Sequence, residues 1–441
     1  MADPATSPPL TRDSVQAARE LIAPYVHHTP TLTNRTLTQL ASTPRTREEL
    51  QKAGGGWERV ENPANPKLRL WFKCENLQRV GAFKARGAFH ALGRLLGEEG
   101  FERGRGVVTH SSGNHAQALA LAARTHDVPA YIVMPEISTP SKVAATKGYG
   151  ATVIFSGSTS VEREAAAAKV IAETGARLVP PYDHPDIVLG QGTLGLEMQE
   201  DAARMMAAAE QEQQGQSQGQ DQEGGRCSFA APVTTMKTDD GAAAAGSSKG
   251  GKKGKVGLDA ILAPCGGGGM LSGVALSCEG TGIRVFGCEP SYQGANDAKR
   301  GYESGQRVER VSSLTVADGL RTPLGQVPWR IIYERRLVSG FYSVSEREIC
   351  DALRLVLERF KMVVEPSAAV PLAVALYNED FRGLVEREAG AEGWDVGVVF
   401  SGGMLVWRRW GSCLRMRRRA SRGRASRPDI SGVDDRLGIL L

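Results

Sequence analysis

The chain has 441 residues, and 41% of them are hydrophobic, which is enough for two or three domains with buried cores. Its formal net charge of +5 comes from the C-terminal segment, where ten arginines and three aspartates follow Gly403. The remainder is nearly neutral, so its composition gives no indication of a nucleic-acid partner. Proline and glycine interrupt the uncharged stretch over residues 260–278, so we expect no membrane span.

The N-terminus and the cysteines indicate the compartment. The first nine residues contain Asp3 and lack a basic segment followed by an apolar one, so we expect neither a secretion signal nor a transit peptide. The seven cysteines show no CxxC pair and no Cys/His metal spacing, which predicts reduced, mostly buried thiols. Together these features predict a cytoplasmic protein.

Strand-like and helix-like segments alternate along the chain, which predicts an α/β fold with parallel sheets. The pattern predicts a helix over residues 13–25, a strand over 68–73 and a helix that begins at Lys84. Strand–helix units follow at residues 106–125, 130–149, 152–174 and 260–277. Further strands are predicted at residues 285–288 and 396–400. A helix over 346–360 has Ser345 as its candidate N-cap, with Glu348 three residues on.

Two segments interrupt this alternation. Residues 43–66 are polar and contain three consecutive glycines, which indicates a surface insertion. Residues 207–255 are rich in Gln, Gly, Ser, Ala and Lys and have too little apolar surface to offset chain entropy. We therefore predict a disordered insertion there.

Three stretches carry the chemistry. Lys84 lies in Gly-Ala-Phe-Lys-Ala-Arg-Gly-Ala, and an amine can form a Schiff base with an aldehyde cofactor. Gly266–Gly269 follow a buried strand and precede a helix, where backbone N–H groups bind phosphate. The stretch Ser-Ser-Gly-Asn-His at 111–115 also opens a helix. Each has a simpler interpretation: a solvated lysine, a tight turn and a serine N-cap. An amine with two anion cradles indicates a pyridoxal-phosphate (PLP) enzyme.

Taken together, these stretches resemble the fold-type-II PLP enzymes, specifically the serine racemases and the serine/threonine dehydratases. The resemblance rests on ENLQ (75–78), GAFKARGA (81–88), SSGNHAQALA (111–120), GQGT (190–193), PCGGGGMLSG (264–273), EP (289–290), ADG (317–319), EPSAA (365–369) and SGG (401–403). It implies two parallel-sheet, three-layer domains with the cofactor between them. The implied large domain is 1–104 and 184–403, the small mobile domain is 105–183, and 404–441 is an atypical Arg-rich tail.

The resemblance also implies roles for the cofactor site. Lys84 would hold PLP as a Schiff base and then act as a base at the substrate Cα, and Phe83 would pack against the cofactor ring. Asn114 would donate to the phenolic oxygen. Ser401 would face the pyridine nitrogen and, being neutral, leave it unprotonated. Glu365 would orient the pocket, or be an ordinary acid at a helix start. The residues implied at the phosphate are Gly266, Gly267, Gly268, Gly269 and Met270.

On the substrate side, the implied carboxylate loop consists of Ser111, Ser112, Asn114 and His115, whose N–H donors lie at a helix start. In serine racemases the serine matching Ser112 lies across the substrate plane from the lysine. Two proton-handling groups on opposite faces permit inversion at Cα. Loss of the β-hydroxyl from the same carbanion instead gives pyruvate from serine or 2-oxobutanoate from threonine, with ammonia.

A divalent-metal site is implied too. Glu289, the carbonyl of Ala295 and Asp297 match the metal ligands of the family if this chain carries a two-residue insertion, and oxygen ligands suit Mg²⁺ or Ca²⁺. The alternative is two surface acids near a turn. The family further implies a homodimer and leaves a nucleotide effector open.

The chain departs from the family at its C-terminal end. The family pattern Ser-Gly-Gly-Asn is Ser401-Gly402-Gly403-Met404 here, and 38 residues follow Gly403. That is too few for the regulatory domain of biosynthetic threonine dehydratases, which favours a serine racemase with dehydratase activity. The alternatives are a threonine ammonia-lyase without racemase activity and a PLP-binding homologue impaired by the altered C-terminus.

Overall fold

The computed structural model describes residues 6–53, 56–218 and 257–404. The strands are β1 Thr31–Thr33, β2 Leu68–Cys74, β3 Val107–His110, β4 Ala130–Pro135, β5 Thr152–Ser156, β6 Arg177–Leu178, β7 Ala260–Pro264, β8 Arg284–Pro290, β9 Gly340–Val344 and β10 Trp394–Phe400. They form a six-stranded sheet in the order β1-β2-β10-β7-β8-β9 and a four-stranded sheet in the order β5-β4-β3-β6. All pairs are parallel except β1 with β2.

Helices connect the strands, as parallel pairing requires. They are α1 Arg12–Ile22, α2 Arg35–Ala41, α3 Arg47–Ala53, α4 Lys84–Leu96, α5 Asn114–Thr125, α6 Pro140–Gly148, α7 Ser160–Thr174, α8 Pro185–Gln218, α9 Gly269–Cys278, α10 Asp297–Ser304, α11 Gln326–Trp329, α12 Glu346–Leu355, α13 Pro366–Tyr377 and α14 Glu379–Ala389. The predicted α/β class with parallel sheets is confirmed.

Local sequence signals explain where several helices begin. Ser345 and Glu348 form a reciprocal capping box at the start of α12, as their spacing predicts. This helix ends at Leu355 and continues as a π-helical turn over Val356–Phe360, so the predicted range 346–360 is helical throughout. Thr159 and Glu162 form the same box at α7. Helix α5 begins at Asn114 after the N-cap residue Gly113, which provides no side-chain cap.

The two sheets divide the chain at nearly the same places as the predicted domains. Strands β3–β6 all lie within residues 105–183, and the other six strands lie outside that range. Apolar clusters fill the space between sheets and helices: one joins α4 and α5 with β3 and β4, and another joins α8 and α9 with β7 and β8. The exact domain boundaries and the mobility of the smaller domain stay predictions.

The disorder predicted from residue 207 onward is wrong for its first part. Helix α8 continues to Gln218, so residues 207–218 are helical. Ala, Glu and Gln dominate this stretch and are good helix formers, and a helix that is already packed extends more readily than a new one forms. Residues 219–255 of the predicted insertion lie outside the described residues, as does the Arg-rich tail after Met404.

The segment 43–66 is mostly exposed but not without structure. It contains α3 and a short 3₁₀ turn over Trp57–Arg59, and it is anchored by the buried side chains of Leu50 and Ala64. Five cysteines lie in the described part of the chain and all are buried, as predicted, namely Cys74, Cys265, Cys278, Cys288 and Cys350. None of the helices within the described ranges is both long and apolar enough to cross a membrane.

Candidate active site

The Lys84 amine lies in a confined, partly buried position at the first residue of α4. Its Nζ donates to the carbonyl of Pro181 at 2.5 Å and lies 5.0 Å from the centroid of the Phe83 ring. Burial lowers the pKa of Lys84 from 10.5 to about 8, although the negative charge of Glu365 acts in the opposite direction. A substantial fraction of this amine is therefore neutral near pH 8, and the neutral form is the nucleophile.

The glycines of 266–269 connect β7 to α9 under tight steric limits. Gly268 has a φ of +83°, and a Cβ there would collide with Leu324. A Cβ on Gly267 would collide with the Tyr182 ring, and one on Gly266 would lie 3.0 Å from the Leu320 Cα. These positions require glycine. The loop leads directly into the N-terminus of the ten-residue helix α9, which favours anions.

Helix α8 fixes the spacing between the lysine and the glycine loop. A Cβ on Gly190 would lie 2.7 Å from the Arg86 carbonyl oxygen in α4, and a Cβ on Gly192 would lie 2.5 Å from the Gly273 carbonyl oxygen in α9. The α8 backbone thus packs directly on both helices that carry the predicted cofactor groups. These contacts give a physical reason for the GQGT motif, which sequence reasoning used only as a family match.

The predicted substrate loop lies between β3 and α5. Ser111, Ser112 and Asn114 are partly buried. The Oγ of Ser111 accepts a long hydrogen bond from the N–H of Gly113 at 3.4 Å, and the Ser112 hydroxyl bonds to no described residue. Because the N-cap of α5 is Gly113, the simpler interpretation of these serines as helix caps is wrong.

Asn114 connects the substrate loop to the six-stranded half of the molecule. Its Nδ2 donates to the Glu365 carboxyl oxygens at 3.2 and 3.4 Å. Burial raises the pKa of Glu365 to about 7. The Glu365 N–H donates to the Gly402 carbonyl at 2.9 Å, and the Phe83 N–H donates to the carbonyl of buried Ser401 at 3.1 Å. The fold therefore brings together the distant motifs around residues 84, 114, 365 and 401.

His115 is buried and neutral. Burial and the nearby Lys84 charge lower its pKa to about 3, so its Nε2–H donates to the Val179 carbonyl at 3.1 Å. A neutral imidazole offers no positive charge to an anion. If His115 binds a carboxylate, it therefore does so through its backbone N–H at the start of α5.

The predicted metal ligands are not surface acids, so that alternative is wrong. Glu289 and Asp297 are 0% and 2% exposed. The Glu289 carboxylate accepts from the N–H groups of Ala298 and Lys299 at 3.0 and 2.8 Å, and Asp297 accepts from the Leu324 N–H at 3.1 Å. Burial raises both pKa values, that of Asp297 to about 6, and their mutual repulsion raises that of Glu289 further.

The carboxylate oxygens of two buried acids that repel each other are suitable ligands for a divalent cation. Ala295, the third predicted ligand, is also buried. Within the described ranges, however, no group of three His, Cys, Asp or Glu side chains could hold a metal. A cation at Glu289, Ala295 and Asp297 would therefore need main-chain or water oxygens. The site stays a prediction.

Arg86, two residues after Lys84 in α4, belongs to a buried network of charged side chains that the sequence did not predict. Arg86 donates to both oxygens of Glu75 at 2.8 and 2.9 Å and to both oxygens of Glu197 at 2.7 Å. Lys73 donates to Glu197 at 2.7 Å. All four side chains are at most 5% exposed. Arg86 was visible within KARGA, but only the fold reveals its partners.

Sequence reasoning also missed the segment that crosses the glycine loop. Asp183 accepts from the N–H groups of Gln326 and Val327 at 3.0 and 2.8 Å, and the Gly325 N–H donates to the Gly267 carbonyl at 3.1 Å. Pro181, which accepts from Lys84, lies two residues earlier in the same segment. The lysine and the glycine loop are therefore connected through a second set of contacts.

Comparison with known proteins gives the class. Residues 58–210 and 253–402 match the family model described as "Pyridoxal-phosphate dependent enzyme", and the chain belongs to this family of enzymes. It is 34% identical to the L-threo-3-hydroxyaspartate ammonia-lyase of Saccharomyces cerevisiae over 409 residues, which is 92% of this chain and 96% of that protein. It is 34% identical to the serine racemase of Arabidopsis thaliana over 392 residues, or 88% and 92% of the two chains.

The solved structures agree. The crystal structure of the serine racemase from Dictyostelium discoideum matches with a TM-score of 0.65 and 33% identity, covering 90% of this chain and 99% of that one. The fold-type-II architecture, the dependence on PLP and the membership of a racemase and ammonia-lyase family are thereby established.

Proposed function

We propose that the protein interconverts L- and D-serine and also removes ammonia from serine and threonine, giving pyruvate or 2-oxobutanoate. The observation that carries this proposal is the Lys84 amine, whose pKa is lowered to about 8 beside Asn114, Glu365 and Ser401. The Ser112 hydroxyl makes no hydrogen bond to the described residues and is therefore available for proton transfer, which supports racemisation.

Bound PLP would supply an electron sink, which weakens the Cα–H bond of the substrate. Backbone N–H groups of residues 111–115 bind the α-carboxylate. Neutral Lys84 removes the Cα proton on one face, and the Ser112 hydroxyl delivers a proton on the other. Ser401 would face the pyridine nitrogen, and Phe83 would pack against the ring. The backbone N–H groups of residues 266–270 would hold the phosphate.

A second candidate substrate is 3-hydroxyaspartate, because a relative named for that substrate is 34% identical over 92% of this chain. Its second carboxylate would need a cation near the β-carbon. Lys142, whose Nζ lies 3.6 Å from Asp318 and whose charge acts on Glu365, is the candidate. Elimination would then give oxaloacetate and ammonia. Mg²⁺ or Ca²⁺ at Glu289, Ala295 and Asp297 and a homodimer remain parts of the proposal.

The test uses the purified full chain with PLP and, in separate reactions, L-serine, L-threonine and L-threo-3-hydroxyaspartate, with and without Mg²⁺. D-serine is measured by chiral chromatography, and the oxo acids are measured by enzymatic reduction. We expect both D-serine and pyruvate. Lys84→Ala should abolish both, and full turnover by this variant would exclude the assigned lysine.

Ser112→Ala separates the two reactions. The loop backbone persists in this variant, so carboxylate binding and pyruvate formation should largely survive. Racemisation should fall by roughly 10²–10⁴-fold, the usual effect of losing a positioned acid–base group. Racemisation at the parental rate would mean that Ser112 does not carry the proton.

A further inference from the structure

Gln191 has a buried amide that makes no hydrogen bond to the described residues. The residue is 0% exposed, and neither its nitrogen nor its oxygen makes a hydrogen bond within the described part of the chain. Leaving one buried polar group unpaired costs on the order of 1–3 kcal/mol. Such groups are uncommon in folded proteins and call for an explanation such as a missing ligand.

The amide lies between the two elements that define the proposed cofactor site. Its Oε1 is 2.8 Å from where a Cβ on Gly269 would be, at the first residue of α9. Its Nε2 is 3.1 Å from where a Cβ on Gly87 would be, one turn beyond Lys84 in α4. A half-turn of the amide about its last bond exchanges the two atoms, so the donor can face either helix.

Another glutamine on the same helix shows what a purely structural role looks like. Gln199 lies two turns further along α8 and also faces α9. Its Nε2 donates to the Ser277 carbonyl at 3.1 Å, and its Oε1 accepts from Arg12 at 2.9 Å. Both ends of this amide are satisfied. Packing of α8 against α9 therefore does not by itself require an unpaired amide.

We propose that the Gln191 amide donates a hydrogen bond to the phosphate of PLP. This proposal rests on the proposed cofactor site, where the glycine loop and the N-terminus of α9 supply backbone N–H groups. A phosphate dianion has more acceptor positions than these groups can fill, and a side-chain N–H at the side of the loop adds a donor. Gln191 is thus a binding residue that completes the phosphate cradle.

The test compares PLP with pyridoxal, which lacks the phosphate. Gln191→Met keeps the side-chain length and removes the donor. The Kd for PLP should rise roughly 10- to 100-fold, as expected for a lost hydrogen bond to a charged group. The Kd for pyridoxal should stay within about twofold, because the removed donor has no partner on that molecule. Both are measured by titrating the cofactor absorbance, and the ³¹P resonance of bound PLP should shift in the variant.

The matched control is Gln199→Met, which removes a satisfied amide from the same helix. It should lower the melting temperature and leave the Kd for PLP unchanged. Gln191→Asn shortens the side chain by one methylene and should also weaken the binding of PLP but not that of pyridoxal. This variant replaces Gln191→Met in the test if the methionine variant does not fold. An unchanged Kd for PLP, or an equal loss for PLP and pyridoxal, would overturn the proposal.

The outcomes also separate this proposal from the cofactor site on which it rests. At saturating PLP, the Gln191 variants should still develop the visible absorbance band that depends on Lys84. If the parent chain fails to develop this band, the cofactor site itself is wrong. If the parent develops it and the variants bind PLP equally well, only the role of Gln191 fails.

Discussion

The two halves of the candidate site are built differently. On the cofactor side, Lys84 and the glycine loop are fixed by close backbone contacts with α8 and by the buried Arg86 network. On the proposed substrate side, residues 111–114 are only partly buried, and a Cβ added to Gly113 would meet no atom of the described residues within 4 Å. Several close contacts thus fix the position of the proposed cofactor-binding groups. The proposed substrate loop is packed less tightly, so we expect changes in this loop to alter substrate preference with little effect on cofactor binding.

Breaking the Arg86 network should have the largest effect on the rigid half. Arg86→Met leaves Glu75 and Glu197 as buried carboxylates without their main partner, and such losses typically cost about 3–5 kcal/mol of unfolding free energy. Urea unfolding followed by circular dichroism measures this. The control is Arg19→Met, since Arg19 pairs with Glu200 at the surface and exposed pairs contribute below about 1 kcal/mol. Equal losses in the two variants would refute the importance of the network.

A pair of glycine variants compares the two halves directly. Gly268 and Gly113 are the N-cap residues of α9 and α5. Gly268→Ala forces a side chain onto a φ of +83° and against Leu324, so it should lose more than about 1 kcal/mol of stability and weaken PLP binding. Gly113→Ala has a φ of −116° and open space, so it should change stability by less than about 1 kcal/mol. Thermal melting and PLP titration check both, and a Gly113 variant as damaged as the Gly268 variant would contradict the comparison.

The pH dependence of cofactor capture gives the smallest and most specific effect. Only neutral Lys84 attacks an aldehyde, so the capture rate of PLP by the cofactor-free protein should rise about tenfold per pH unit and level off above about pH 8. The lowered pKa of Lys84 also makes the free energy of unfolding depend on pH. The stability that Lys84 contributes is fully present above pH 10.5, and it is lost as the pH falls through about 8.

Glu365→Gln provides the check on this assignment. The negative charge of Glu365 raises the pKa of Lys84, so its removal should move the midpoint of the capture rate to lower pH. Stopped-flow absorbance at several pH values measures both profiles. A midpoint that stays in place would mean that Glu365 does not act on the amine.

The elements of the fold were largely predictable because their signals are local. The alternation of strand-like and helix-like segments predicts β3, β4 and β5, and the unit predicted at residues 106–125 consists of β3 followed by α5, which ends at Thr125. The continuation of α8 to Gln218 was not predictable, since a stretch rich in Ala, Gln and Glu suits both a helix and a disordered segment. Packing of the first half of α8 against α4 and α9 decides between them, and composition carries no information on that packing.

The site was predictable only as a set of motifs. The motifs around Lys84, Asn114 and Ser401 do meet in space. The pairing of Arg86 with Glu197, the contacts of Asp183 with Gln326 and Val327, and the position of Gln191 between α4 and α9 depend on residues about 80 to 140 positions apart in the chain. No local pattern distinguishes Gln191 from Gln199, although among the described residues only the Gln199 amide has hydrogen-bond partners.

The buried cysteines have a consequence for chemical labelling. Burial raises the pKa of Cys74 and Cys278 to about 12 and those of Cys265 and Cys288 well above 9. The thiolate is the form that reacts with alkylating agents, so these sulfurs are inert while the chain around them stays folded. Cys265 directly precedes the glycine loop, and Cys74 lies beside the Arg86 network. The rate at which each becomes modified would therefore report local opening of its own part of the core, without any introduced probe.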